Sequence, residues 1–186
     1  MCSSDLKINQ GTSRWLLTDE DKENGYNYPE KFEPTPLRQA ACYGTTETNP
    51  YMVLELLREL VNEYGIPQSD ISVGDPMTDI YGHNFEIWFA EFPGVAYLDK
   101  FATHHNRTLT TPTTEDYLIY SNKQQKDPLY DVIVRADYLI NVANLKPHMA
   151  AGISLTAKNH FGSQGRPTAG HLHKYLITHR DRKSVV

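Results

Sequence analysis

A capped helix followed at once by a short apolar strand constrains the fold of this chain more than any other feature. Asn49-Pro50 is an N-cap followed by proline at the first helical position, where its missing N–H costs nothing. Val53, Leu54, Leu57, Leu60, Val61 and Tyr64 then recur at helical spacing, and Gly65 stands where a left-handed residue ends a helix. The pattern predicts a helix over about 50–64. Ile71-Ser72-Val73-Gly74 follows as a short strand that ends in Gly74-Asp75-Pro76.

The alternation continues. Phe85 to Phe92 reads as a second helix carrying Ile87, Trp88 and Phe89, broken by Pro93-Gly94, and Val95-Ala96-Tyr97-Leu98 reads as the next strand. A Thr-rich loop covers 103–114, and Tyr117–Tyr120 and Val132–Val134 read as strands flanking a polar turn. Tyr138-Leu139-Ile140-Asn141-Val142 is a buried-type strand. A helix over about 150–160 is expected after it, stopped by Gly162, with another starting near Thr168. Residues 7–48 show no helix or strand period. Trp15, Leu16, Leu17, Tyr26, Tyr28 and Phe32 give them something to bury, so an ordered surface excursion is expected. Strand–helix–strand alternation implies an α/β fold, a largely parallel sheet with crossover helices.

The two ends read differently. Met1–Leu6 can be encoded by GTG-TGC-TCT-TCC-GAT-CT, and Asp181–Val186 by GAT-CGG-AAG-AGC-GTC-GTG. The two share the reverse-complementary core of a common sequencing adapter, provided that the codon of Arg180 ends in A. The expectation is therefore a tail at 1–6, one α/β domain over 7–180 that is an incomplete fragment, and a second tail at 181–186, with both tails outside the fold.

The net charge is −5, and without the two tails it stays −5, because Asp5 is offset by Asp181, Arg182 and Lys183. A mildly acidic chain with no basic stripe is a poor partner for nucleic acid. Its apolar runs are too short to span a bilayer. Setting aside Cys2 in the tail leaves Cys42, and one cysteine cannot build a disulfide framework, a cysteine zinc site or an iron–sulfur cluster. No metal site is expected in these residues. Glycine-rich dinucleotide, phosphate-loop and G-x-S-x-G patterns are absent.

In open α/β sheets ligands bind beyond the carboxyl ends of strands. Two segments qualify: Gly74–Asp79 and the longer Asn141–Gly165. In the second, Lys146 and His148 are expected in a turn after a strand and just before a helix N-terminus, an arrangement that suits phosphate or carboxylate. The plain alternative is a solvated lysine and a hydrogen-bonded turn histidine. Lys158, Asn159 and His160 would close the following helix, where cations complement the dipole. A three-turn helix would hold its two ends about 15 Å apart. Asp75 fits either a ligand contact or an ordinary turn. His171 and His173 do not share a face if helical, His104-His105 is a weak signal, and Asn106-Arg107-Thr108 matches a glycosylation sequon.

The stretch ADYLINVANLKPHMAAGISLTAKNHFGS at 136–163 resembles the bacterial family known as domain of unknown function 362. Leu139-Ile140-Asn141, Leu145-Lys146-Pro147-His148, Gly152-Ile153-Ser154-Leu155 and Lys158-Asn159 carry the resemblance, with TNPYMVLELLRELVNEYG and ISVGDP upstream. It runs from about Thr48 to His173. Pro147 stands where many relatives have threonine. The family has no settled activity; some members carry ferredoxin-like cysteine modules and some twin-arginine export signals, and this chain has neither. The family's opening strand, with its Lys-Pro-Asn-like motif, is expected to be missing. The resemblance adds weight to Lys146, His148, Lys158, Asn159 and Asp75 without giving them roles.

The expectation is a domain that binds a small anionic ligand beyond the strand ending at Val142. Lys146 would pair with the anion and His148 would exchange a proton. Asp75, Asn141, Lys158 and Asn159 would bind or orient the ligand. The alternative is a scaffold or docking part of an iron–sulfur redox protein whose cluster module lies elsewhere; these residues themselves would hold no cofactor. Location would be cytoplasmic, or periplasmic with an export signal.

Overall fold

The computed structural model describes residues 3–10, 47–78, 80–100, 106–115, 118–119, 126–148 and 152–165. Five strands form one parallel sheet: β1 (Ser4–Lys7), β2 (Ile71–Gly74), β3 (Ala96–Asp99), β4 (Thr108–Leu109) and, after two short strands, β7 (Tyr138–Asn141), in the order β4-β3-β2-β1-β7. The fold is α/β with a parallel sheet, as the alternation predicts. Strand β1 lies inside the sheet, in register with β2 through Leu6↔Val73 and with β7 through Leu6↔Ile140.

This placement corrects one expectation. Ser4, Asp5 and Leu6 are not outside the fold, whatever encodes them. They form a strand of the sheet that ends at Lys7. The physical reason is local: Leu6 and Ile8 are fully buried apolar side chains on one face, and the backbone pairs on both sides.

Helix α1 (Pro50–Arg58) begins as the sequence predicts. The Asn49 side chain accepts from the Tyr51 and Met52 amides at 2.9 and 3.4 Å. The helix widens into a π turn at Glu59–Glu63 and ends at Gly65, whose φ of 68° is left-handed. Val53, Leu54 and Leu57 face the core. Helix α2 (Gly82–Phe89) starts three residues before the predicted Phe85. Its Trp88 Nε1 donates to the Pro50 carbonyl at 2.7 Å, which pins α2 to the first turn of α1. Phe85, Phe89 and Trp88 pack around Tyr97 of β3, and with Leu6, Val73 and Leu57 they make the core on this face.

Two further elements differ from the reading. Val132–Val134 lies in helix α3 (Asp131–Arg135), not in a strand. Asp131 Oδ1 accepts from the Val132 amide at 2.8 Å, and this local turn overrides the β preference of the branched run. Strand β5 (Leu118–Ile119) pairs instead with β6 (Lys126–Asp127), antiparallel. The expected helix over 150–160 is a β-hairpin followed by a single turn. Strand β8 (Lys146–His148) pairs antiparallel with β9 (Gly152–Ser154), and α4 (Thr156–Asn159) runs into a 3-10 turn at His160–Ser163. Lys146 precedes a proline and is biased towards extended backbone. Gly152 and the β-branched Ile153 disfavour a helix. The helix expected near Thr168 and most of residues 7–48 lie outside the described residues.

The face of the sheet opposite α1 and α2 carries a cost. Asp5 is 1% exposed, its Oδ1 accepts from Ser72 Oγ at 2.8 Å, and its Oδ2 has no hydrogen-bond partner. Burial pushes its pKa up to about 6 from 3.8, against the opposing pull of Ser72 and Lys7. The unfolded chain therefore loses this proton first. The penalty is absent below pH 3.8, grows as pH rises and is complete above about 6. Asp5→Asn keeps an acceptor for Ser72 and should stabilise the chain at pH 7.5 by roughly 1–3 kcal/mol. Urea denaturation at pH 4 and pH 7.5 checks this. A gain of equal size at both pH values would show that the carboxylate charge is not the cause.

Candidate functional site

Strand β1 feeds β2 on one side, while β7 lies on its other side, so the chain reverses its direction of winding at β1. Loops leaving the carboxyl ends of β1 and β7 diverge there, and such a switch point is where an open parallel sheet forms a crevice. The site is built from Lys7 and Asn9 after β1, Asp75 after β2, Asn141 at the end of β7, Lys146 on β8, and Lys158, Asn159 and His160 after β9.

Lys7 is fully buried at the centre. An ammonium has three protons to donate, and three oxygens receive them: Ile8 O at 2.6 Å, Asp75 Oδ1 at 2.8 Å and Asn159 Oδ1 at 3.3 Å. Asp75 is 5% exposed, and its other oxygen accepts from the Gln10 amide at 3.0 Å. Asn159 Nδ2 donates to the Lys7 carbonyl at 3.0 Å and to Asn141 Oδ1 at 2.8 Å. Asn141 Nδ2 in turn reaches Thr156 O and His160 Nε2, each at 2.9 Å. A Cβ at position 162 would run into the Asp75 carboxylate and the Lys7 ammonium, so Gly162 lets the 3-10 turn close directly over the pair.

Thr48 joins the loops that leave β1 and β7. Its amide donates to Asn9 O at 3.0 Å, its Oγ accepts from the Asn9 amide at 2.8 Å, and the same Oγ donates to Val142 O at 2.8 Å. Lys146 Nζ donates to Asn9 Oδ1 at 3.0 Å. Lys158 stands close enough to feel Lys146: burial first, then the Lys146 charge, holds its pKa below the ordinary lysine value. The separation of about 15 Å expected along a three-turn helix does not occur, because the hairpin folds Lys146 back. His160 also titrates lower than usual, first from burial and then from Lys7.

The structure thus gathers Asp75, Asn141, Lys146, Lys158 and Asn159. His148 lies two residues beyond Lys146 in β8, and the surroundings of its ring fall outside the described residues. Lys146 and His148 do not precede a helix N-terminus; a four-residue helix begins only at Thr156. Sequence reasoning missed Lys7, Asn9, Thr48 and Gly162, and read His160 only as a helix-end cation. The Lys-x-Asn spacing at 7–9 was the available signal. Arg107 of the sequon is turned inward, its Nε 3.5 Å from Asp99 Oδ2 and its guanidinium 3.3 Å from the Phe85 ring centre. Cys42, His104, His105, His171 and His173 lie outside the described residues. Among the described residues, no three His, Cys, Asp or Glu side chains gather as a metal-holding group, and no helix is long and apolar enough to cross a membrane.

The model of the family described as domain of unknown function (DUF362) matches residues 40–183. The chain belongs to this family. The DUF362 match covers α1 onward and includes every site residue except Lys7, Asn9 and Gln10. No curated protein and no solved structure matches the chain.

The Lys7–Asp75 pair is a load that either partner alone cannot carry. Lys7→Met strands a buried carboxylate and Asp75→Asn strands a buried ammonium, and each should cost about 3–5 kcal/mol. The double variant Lys7→Met/Asp75→Asn should lose clearly less than the sum of the two. Chemical denaturation of the four proteins measures the coupling, and strictly additive losses would show that the pair does not act as a unit.

Proposed function

We propose that this DUF362 chain binds a small anion, a phosphate or a carboxylate, in the crevice between the carboxyl ends of β1 and β7. One observation carries the reading: the β8–β9 hairpin pairs Lys146 with Ser154 and sets its Nζ 3.0 Å from Asn9 Oδ1 at the end of β1, while Lys158 stands on the turn that leaves the same hairpin. Two part-buried cations on neighbouring elements favour an anion beside them. Lys146 and Lys158 supply the charge. Asn9 orients Lys146 through the 3.0 Å hydrogen bond. Asn141, Asn159 and Asp75 hold the floor of the crevice through Lys7. His148, from its place in the Lys146-Pro147-His148 segment, is the group that exchanges a proton with the ligand.

Solvated lysines at a loop would also be cationic, but they would not share a field with a second lysine and would not be part-buried. Titration calorimetry of the full chain with inorganic phosphate, sulfate and malonate separates the two cases. Lys146→Ala and Lys158→Ala should each weaken binding by about tenfold or more, equivalent to about 1.4 kcal/mol, and His148→Ala should alter its pH dependence. No binding at tens of millimolar anion, or binding that both lysine variants leave unchanged, would overturn the reading.

A further inference from the structure

The hydrogen bonds around His160 fix where its proton sits. Asn141 Oδ1 accepts from Asn159 Nδ2 at 2.8 Å, and this sets which way the Asn141 amide points. Its nitrogen therefore faces His160 Nε2 at 2.9 Å, and an amide nitrogen can only donate. Nε2 must then offer a lone pair. The ring proton belongs on Nδ1, where Ser163 Oγ stands 3.2 Å away as acceptor. This is the tautomer opposite to the one a free imidazole favours.

A second proton on Nε2 would point at a donor. The Asn141 amide cannot turn to accept it, because its oxygen is held by Asn159 and its nitrogen also donates to Thr156 O. The charged groups around the ring offer no relief. Lys7 from β1 is a cation, and Asp75, the acid of the network, already accepts from Lys7 and Gln10.

We propose that His160 is an acid-operated latch on the crevice: its neutral Nδ1–H form ties the 3-10 turn that follows α4 to β7 through Asn141, and protonation at Nε2 releases that tie. Lys158 stands two residues before His160 at the end of α4, so loosening this turn reaches one of the two lysines. The latch deepens the anion-site reading by giving it a pH dependence, but its chemistry stands on the hydrogen bonds alone. Burial and Lys7 depress the affinity of His160 for a proton. The unfolded chain therefore takes up this proton first, near pH 6.5, and the latch region loses stability as pH falls below that value.

Nitrogen-15 NMR of the imidazole in the full chain at pH 7.5 should show Nδ1 protonated and Nε2 bare; a protonated Nε2 overturns the proposal outright. Hydrogen exchange of the backbone amides of residues 156–163, corrected for intrinsic rates, should lose protection about tenfold or more between pH 7.5 and pH 5.5. His160→Gln supplies an oxygen that accepts from Asn141 and does not titrate, so it should keep protection at both pH values. Equal loss in wild type and His160→Gln overturns the latch. Sulfate, whose charge is constant over this range, should lose affinity for wild type relative to His160→Gln as the pH falls from 7.5 to 5.5. If sulfate binds neither protein, the anion reading fails, while the exchange and tautomer results still decide the latch.

Discussion

A lysine with no exposed surface sits where the two halves of the sheet meet, and the arrangement around it follows from neutralising it. An unpaired charge in that position would cost several kcal/mol. Lys7 escapes that cost because Asp75, at the end of the neighbouring strand, and Asn159, from the far end of the motif, both reach it. This ties three stretches of sequence that are 68 and 152 residues from Lys7 or adjacent to it into one polar centre. The glycine at 162 is the steric counterpart, since any side chain there would occupy the space of the ion pair.

The same centre divides what is structural from what can meet a ligand. Lys7, Asp75 and Asn159 are buried and occupied with one another. Lys146 and Lys158 are only part-buried, and they stand on a hairpin and a one-turn helix rather than on the sheet. A buried, internally paired floor beneath two part-buried cations is a sensible division for an anion site: the floor sets position, and the lysines supply charge without having to be folded into the core.

Much of the sheet was legible. The Asn49 cap, the Gly65 stop and the apolar runs at 71–74, 96–98 and 138–141 all stand where periodicity puts them, because each is a local pattern that local physics decides. The site was legible in part. The motif at 139–159 drew attention to the right residues, yet its geometry was misread, since Ala150 and Ala151 favour a helix while Pro147, Gly152 and Ile153 favour the hairpin that forms. Strand β1 was set aside because of how its first residues can be encoded, but a strand is selected by backbone pairing and by Leu6 and Ile8, not by the origin of the codons. The cost of that indifference is visible at Asp5, a carboxyl on a buried face. Lys7 could not be recognised as the centre from sequence, because its two side-chain partners are distant in the chain.

A network in which every donor and acceptor is matched is stable only while each group keeps its protonation state. Asp75 and Lys7 are paired at 2.8 Å, and the asparagines do not titrate. His160 is the member whose ordinary pKa lies near neutrality and whose second proton would meet a donor. The stability of the polar centre and its sensitivity to acid therefore have one origin: the chain Asp75–Lys7–Asn159–Asn141–His160 has a direction, set at one end by a carboxylate that only accepts. At the other end it finishes on an imidazole nitrogen that must accept as well, so a proton on that nitrogen opposes the direction of the whole chain.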